Sequence, residues 1–221
     1  MKEFGIQLDR DRQARVGLDE AIFAAGKSTA QLAALVRDAV GRRERRLFTR
    51  LSPEQVAALD GHEREAVDYE AISCTGIVGA PVALAPALVA VVVGGSSDLA
   101  VSSEVLRTLA YHGQSALHVA DVGVAGLWRL LEHVEELRRM SVVVVVAGME
   151  GALFSVVGGL VPGVVIALPT SVGYGVASKG RAALSSALAS CAPGVVAVNI
   201  DNGYGAACAA LRALRASSPR N

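Results

Sequence analysis

Val142-Val-Val-Val-Val-Ala-Gly-Met-Glu-Gly151 is the stretch whose reading decides the fold. Its first six residues are apolar, almost all β-branched, and free of charge or turn residues. A short run of this kind, closed by glycine, reads as a strand buried on both faces, which is the habit of parallel sheets. The chain then releases a glycine loop with one carboxylate, Glu150. Packing gives little reason for a lone acid between glycines at the end of a buried strand. Working outward, the same pattern of apolar run, glycine loop and helical segment recurs from Leu88 to the C-terminus. Strands are predicted over residues 88–93, 116–120, 142–147, 164–168 and 195–200, with helices between them. One long helix is predicted over 125–139, with Leu127, Leu130, Leu131, Val134 and Leu137 on one stripe and mostly charged residues off it. Alternating strands and helices give right-handed βαβ units and a parallel sheet, whose ligands bind beyond the carboxyl ends of the strands.

The polar punctuation concentrates at those ends. The five strands run into Gly94-Gly-Ser-Ser-Asp98, Asp121-Val-Gly-Val-Ala-Gly126, Gly148-Met-Glu-Gly151, Pro169-Thr-Ser-Val-Gly-Tyr-Gly175 and Asp201-Asn-Gly-Tyr-Gly205. Each joins glycine to an acid, hydroxyl or amide, and the amino ends carry no such concentration. Gly95, Ser96 and Ser97 could cradle a phosphate against helix N–H groups, or Ser96, Ser97 or Asp98 could simply cap the helix. The motif is neither a Walker loop nor a GxGxxG fingerprint. Glu150 suits a general base or a cation ligand; its plainer role, shared with Asp98 and Asp121, is a carboxylate favoured by a helix N-terminus by roughly 0.3–1 kcal/mol. Tyr174 and Tyr204 could stack on an aromatic ring or pack locally. Cys191, in Ser190-Cys-Ala-Pro-Gly194, lies in a turn before the fifth strand, at the opposite end of the sheet from the glycine loops. A catalytic role for it requires a site completed by another subunit. Cys74 and Cys208 read as small buried hydrophobes, and His118, inside the second strand, as a core residue.

The first seventy residues read as a small α/β module with few apolar anchors, leaning on something larger. The charged residues 1–15 form an exposed arm. Ser28-Thr-Ala-Gln31 and Ser52-Pro-Glu-Gln55 are capping boxes that start helices, with Val56 and Leu59 facing inward, and residues 47–51 form a short strand. Residues 71–86, punctuated by Gly76, Gly79, Pro81 and Pro86, read as a linker. The division is therefore 1–86 for the module and linker and 87–221 for the main domain.

Composition narrows the function. Of 221 residues, 52% are apolar and 19% charged, ample for a packed core. Lys+Arg and Asp+Glu balance at 21 each, which argues against a nucleic-acid partner. The one dense basic run, Arg42-Arg-Glu-Arg-Arg46, reads as a solvated helix end or a local anion site. The charged start shows no secretory signal. The longest apolar stretch, residues 153–168, is broken by Gly158, Gly159, Pro162 and Gly163, and falls short of the roughly 18–20 residues of a membrane span. Three widely spaced cysteines fit free thiols in a cytoplasmic protein, not a disulfide frame or a zinc site.

Two related families share these motifs. From Leu88 onward the chain resembles PurE, which moves or adds a carboxylate on aminoimidazole ribonucleotide. It departs where PurE carries a catalytic histidine after its second strand; here that segment reads Ala120-Asp-Val-Gly-Val124. The closer resemblance is to LarB, the PurE-like carboxylase/hydrolase of nickel-pincer nucleotide biosynthesis. It rests on Gly95-Ser-Ser-Asp98, Asp121-Val-Gly-Val-Ala-Gly126, Ala147-Gly-Met-Glu-Gly-Ala-Leu153, Pro169-Thr-Ser-Val-Gly-Tyr-Gly175, Ser190-Cys-Ala-Pro-Gly194 and Val198-Asn-Ile-Asp-Asn-Gly-Tyr-Gly205. In the module it rests on Arg15-Val-Gly-Leu-Asp-Glu20, Gly26-Lys-Ser28 and Thr49-Arg-Leu-Ser-Pro-Glu54. The chain departs from the LarB pattern at Val176-Ala-Ser-Lys-Gly180 and at Phe154.

The resemblance implies a PurE/flavodoxin-like three-layer α/β/α domain with a parallel sheet of about five strands, plus the N-terminal α/β module. It implies that nicotinic acid adenine dinucleotide gains a second ring carboxylate from CO2 or bicarbonate and that its phosphoanhydride is hydrolysed. The products are pyridinium-3,5-biscarboxylic acid mononucleotide and AMP. The catalytic residues would be Cys191 as nucleophile, Glu150 as base, and Asp98 and Asp121. Substrate contacts would come from Gly95, Ser96, Ser97, Gly148, Met149, Gly151, Thr170, Ser171, Tyr174, Asn199, Asp201 and Asn202, and in the departing segment Lys179 offers a new phosphate or carboxylate contact. No organic cofactor is expected; Mg2+ is compatible, on Asp98, Asp121 or Glu150. The expected assembly is a cytoplasmic homo-octamer with sites at subunit interfaces. The competing readings are PurE-type carboxylation of aminoimidazole ribonucleotide and a nucleotide-binding protein without activity.

Overall fold

The computed structural model describes residues 4–217. The chain divides into two compact units, Met1–Ala83 and Leu84–Asn221.

The first unit runs α1 (Arg12–Val16), β1 (Ile22–Phe23), α2 (Thr29–Arg42), β2 (Arg46–Thr49), α3 (Pro53–Ala57), α4 (Gly61–Glu65), β3 (Val67–Glu70) and β4 (Thr75–Val78). Its sheet has the order β1-β2-β4-β3, with β1 parallel to β2 and the other pairs antiparallel. Both expected capping boxes form. The Ser28 hydroxyl accepts from the Gln31 N–H at 3.3 Å, and that of Ser52 from the Gln55 N–H at 3.2 Å. Asp60 and Glu63 build a third box that sequence reading missed.

Four expectations for this unit are corrected in whole or in part. It has its own core, in which Leu32, Leu35, Phe48 and Leu51 are fully buried with Ala24 and Ala39, so its apolar anchors are not few. Residues 71–86 are not one linker, because β4 is a buried strand within them. Gly76 reads as a breaker but serves packing: a Cβ there would lie 2.7 Å from Val67 Cγ1 and 2.9 Å from Leu51 Cδ2. The basic run is a solvated helix end in its first part, where Arg42 and Arg43 are exposed at the end of α2, but not in its second, where Arg46 is buried. Arg42 pairs with Asp38, and the buried Arg46 pairs with Glu44 at 2.7 Å. The charged start is likewise tied down, Arg10 by Asp38 and Glu44 and Arg15 by Asp9.

The second unit runs β5 (Ala85–Val93), a 3-10 turn (Ser96–Asp98), α5 (Leu99–Tyr111), β6 (Gln114–Val119), α6 (Leu127–Leu131), α7 (Val134–Leu137), β7 (Val142–Ala147), α8 (Ala152–Gly158), β8 (Val164–Pro169), α9 (Arg181–Leu188), β9 (Val195–Ala197) and α10 (Gly203–Ser217). The five strands are all parallel, in the order β6-β5-β7-β8-β9. β7 lies in the middle with every residue buried, as its sequence requires. Helices cover both faces. One core joins Ala90, Val92, Val143, Val145 and Ala167 to Leu130, Leu137, Leu153, Phe154 and Ala183 from α6–α9. On the other side α10 packs on β7, β8 and α5. Each fully buried valine of this sheet contributes about 1.5–3 kcal/mol.

Several details differ from expectation, among them β9, which ends at Ala197 and not at residue 200. β5 begins at Ala85, not Leu88, with a register shift between Ala85 and Val89; Pro86 in that interval has no N–H to give the ladder. The helix expected over 125–139 is a 3-10 turn followed by α6 and α7, separated at Glu132 and His133. There the bonding tightens, with His133 N–H donating to the Leu130 carbonyl at 3.0 Å, and no glycine or proline marks the break. Leu130, Val134 and Leu137 are consequently buried while Leu127 and Leu131 are exposed. His118 is exposed on the edge strand β6, not a core residue.

Candidate active site

The strand order reverses direction between β5 and β7, so the connections leave on opposite sides, and the carboxyl ends of these two strands are where an open sheet of this kind binds its ligands. The loops after β5 and β7 are therefore neighbours, and the Gly94 N–H donates to the Val146 carbonyl at 2.9 Å.

Asp98 holds this corner together. It is buried, 5% exposed, at the end of the 3-10 turn. Its Oδ2 accepts from the Gly95 N–H at 3.1 Å, and its Oδ1 from the Thr170 hydroxyl at 2.6 Å. One carboxylate thus links the loop after β5 to the loop after β8. Burial pushes its pKa up from the ordinary carboxyl value. The Thr170 hydroxyl and Gly95 N–H oppose that rise, the charge of Asp201 reinforces it, and the Gly148 N–H opposes it. Thr170 is itself fully buried, its N–H donating to the Ala147 carbonyl at 3.0 Å.

The loop carrying Glu150 is shaped by what surrounds Gly148. A Cβ there would stand 2.2 Å from the Val172 carbonyl oxygen and 2.7 Å from Thr170 Oγ1. Met149 (φ 51°) and Gly151 (φ 67°) both take left-handed backbone, and the Met149 N–H donates to the Val172 carbonyl at 2.9 Å. The result presents Glu150 to solvent, with no hydrogen bond or ion pair among the described residues. Ser96 and Ser97, which precede Asp98 in the 3-10 turn, are exposed.

The neighbouring loops are cross-braced. Asp201, at φ 55°, accepts the Ser171 N–H on Oδ1 at 2.8 Å. Asn202 Oδ1 accepts the Gly205 N–H at 2.8 Å, and Asn199 Oδ1 the Ile200 N–H at 2.9 Å. Asp121, also left-handed, pairs with Arg129 Nη1 at 2.8 Å, and Gly123 presses on the Gly94 carbonyl. Tyr174 is 78% exposed and Lys179 is exposed. Arg129 is the participant that sequence reading missed; only its place one helical turn into the segment after the Asp121 loop marked it.

The expected residues thus fall into two groups. Gly95, Asp98, Gly148 and Thr170 meet directly, and Ser171 meets Asp201. Cys191 is exposed and precedes β9, so within one chain it stands at the amino end of the sheet, opposite to Glu150. None of the three cysteines forms a disulfide. Asp98, Asp121 and Glu150, the residues considered for Mg2+, differ in their surroundings: Glu150 has no hydrogen bond or ion pair among the described residues. Both Asp98 oxygens are occupied, Asp121 is paired with Arg129, and no group of three or more His, Cys, Asp or Glu able to hold a metal occurs among the described residues. No helix among the described residues is long and apolar enough to cross a membrane.

Comparison with known proteins agrees with this division. Residues 3–79 match the LarB/PurE-like N-terminal domain, and residues 88–220 match the AIR carboxylase domain. The chain belongs to the LarB family. Its membership makes it a carboxylase-type enzyme of the PurE/LarB superfamily, with a PurE-like C-terminal domain. A relative, an uncharacterized protein of Methanocaldococcus jannaschii, is 32% identical over 223 residues, covering 91% of this chain and 80% of that protein. The crystal structure of a variant of Treponema denticola PurE2 superposes with a TM-score of 0.50 at 22% identity, covering 61% of this chain and 83% of that one, a likeness of fold.

Proposed function

We propose that this LarB-family enzyme carboxylates the pyridinium ring of nicotinic acid adenine dinucleotide with CO2 or bicarbonate and hydrolyses the phosphoanhydride, giving pyridinium-3,5-biscarboxylic acid mononucleotide and AMP. The observation that carries the reading is the corner at the carboxyl ends of β5, β7 and β8. There a buried Asp98 locks the glycine-serine loop to Thr170 and leaves the Glu150 carboxylate free. That arrangement supports a phosphate cradle beside a base.

The chemistry accounts for the residue types. A pyridinium ring is electron-poor and cannot attack CO2. Addition of the Cys191 thiolate at the carbon para to the ring nitrogen moves an electron pair into the ring and makes an enamine-like dihydropyridine. The adjacent unsubstituted carbon then forms the new C–C bond to CO2. Glu150 removes the proton from that carbon, and the electron pair restores the aromatic ring as the C–S bond breaks and thiolate departs. Water cleaves the phosphoanhydride. The opposite-end positions of Cys191 and Glu150 support a site shared between copies, as a homo-octamer would provide.

The test is to compare Cys191→Ala, Glu150→Gln and their mixture. Each variant alone loses carboxylation, Glu150→Gln by roughly 10²–10⁴-fold in kcat. Co-assembled from separately unfolded chains, the two regain part of it, because some interfaces then hold one intact Cys191 and one intact Glu150. Full activity in both single variants would overturn the assigned roles. The match of residues 88–220 to the AIR carboxylase domain favours a second reading, carboxylation of aminoimidazole ribonucleotide; turnover of that substrate in the same assay would establish it instead.

A further inference from the structure

The charges at the carboxyl end of the second unit's sheet are unevenly distributed. Its loops carry four acids: Asp98, Asp121, Glu150 and Asp201. The cations in these loops and the first turns of the helices that follow them include Arg129 in α6, Lys179, and Arg181 at the start of α9. Arg129 is engaged by Asp121. Lys179 and Arg181 are both exposed and have no hydrogen bond or ion pair among the described residues. They flank Gly180, which is pressed against the site: a Cβ there would lie 2.6 Å from the Thr170 carbonyl oxygen and 2.8 Å from Ile200 Cγ2. Thr170 is the residue that holds Asp98. Lys179 also adopts φ 62°, a left-handed conformation that a lysine holds against strain and a glycine would hold without it. Folding therefore gives no reason for a lysine here, whereas an anionic ligand does.

We infer that Lys179 and Arg181 bind the diphosphate of the dinucleotide and set the enzyme's preference for a diphosphate over a monophosphate substrate. This rests on the function proposed above. A ligand with two phosphates and a ring carboxylate meets the carboxylates of Asp121, Glu150 and Asp201, and these two side chains supply the charge-assisted hydrogen bonds that offset the repulsion.

Calorimetric titration of the full-length protein tests this with two probes, nicotinic acid adenine dinucleotide and inorganic pyrophosphate. Lys179→Gly and Arg181→Ala each weaken both Kd values by roughly tenfold or more and flatten their dependence on salt, while Lys179→Arg retains them. Lys179→Gly melts at the same temperature as the parent or higher, which separates lost affinity from lost fold. Unchanged affinity for both probes in Lys179→Gly and Arg181→Ala would overturn the inference and leave the proposed reaction standing. Pyrophosphate binding that depends on Lys179 and Arg181, in a protein that does not bind the dinucleotide, would retain the phosphate site and overturn the reaction. A wild-type protein that binds neither probe would overturn both.

Discussion

Replacing Thr170 by valine removes one oxygen from a fully buried side chain and nearly nothing else. The hydroxyl donates at 2.6 Å to Asp98, whose other oxygen is held by the Gly95 N–H. A hydrogen bond to a charged group contributes about 1.5–3 kcal/mol, and that is the expected loss when Asp98 is ionised. The loss depends on pH. Burial already raises the Asp98 pKa in the folded protein above its unfolded value, so the stability it contributes is present below the unfolded pKa and declines as pH rises through the folded one. The Thr170 hydroxyl is the principal group opposing that rise. Without it the folded pKa moves further up, and the variant loses more stability over the same climb. The gap between the proteins is therefore small where Asp98 is protonated and reaches its full value at pH values where Asp98 is ionised in both. Urea-dependent hydrogen exchange of the buried Val142–Ala147 strand reads the stability of this unit at each pH. Thr170→Ser serves as the control, since it keeps the hydroxyl and removes one methyl, at about 1 kcal/mol with little pH dependence. A Thr170→Val gap that is absent, or that does not widen as pH rises from acid through the titration of Asp98, would refute the place given to this bond.

Gly148→Ala should destabilise the same unit by about 3–4 kcal/mol, because its Cβ meets a backbone oxygen at 2.2 Å and displaces the Met149–Val172 hydrogen bond. Gly159→Ala, whose nearest contacts would be at 3.6 Å with φ −85°, should lie within about 0.5 kcal/mol of the parent or above it in the same measurement. Ser28→Ala removes the cap of α2 and should lower the stability of the first unit by about 1 kcal/mol, read from exchange of the α2 amides.

What the sequence makes legible here follows the range of the interaction concerned. The buried strand Val142–Ala147 and the boxes at Ser28 and Ser52 depend on neighbours within a few residues, and all are where their patterns put them. The opposite-end position of Cys191 follows from strand direction alone. Asp98 is harder. Ser-Ser-Asp before a helix reads as a cap, and nothing local says that this carboxylate will be buried on a hydroxyl 72 residues away. Gly76 misleads for the same reason: a residue that looks like a breaker makes room for Val67 and Leu51, which arrive from other parts of the chain. The break at Glu132 and His133 carries no glycine or proline signal, so the leucine stripe reads as one helix where the chain makes two.

The most direct test of the account is mass spectrometry of the purified full-length protein incubated with nicotinic acid adenine dinucleotide and ¹³C-bicarbonate. The account predicts a labelled biscarboxylated mononucleotide together with AMP. Unchanged dinucleotide, from a folded protein that binds it, would contradict it.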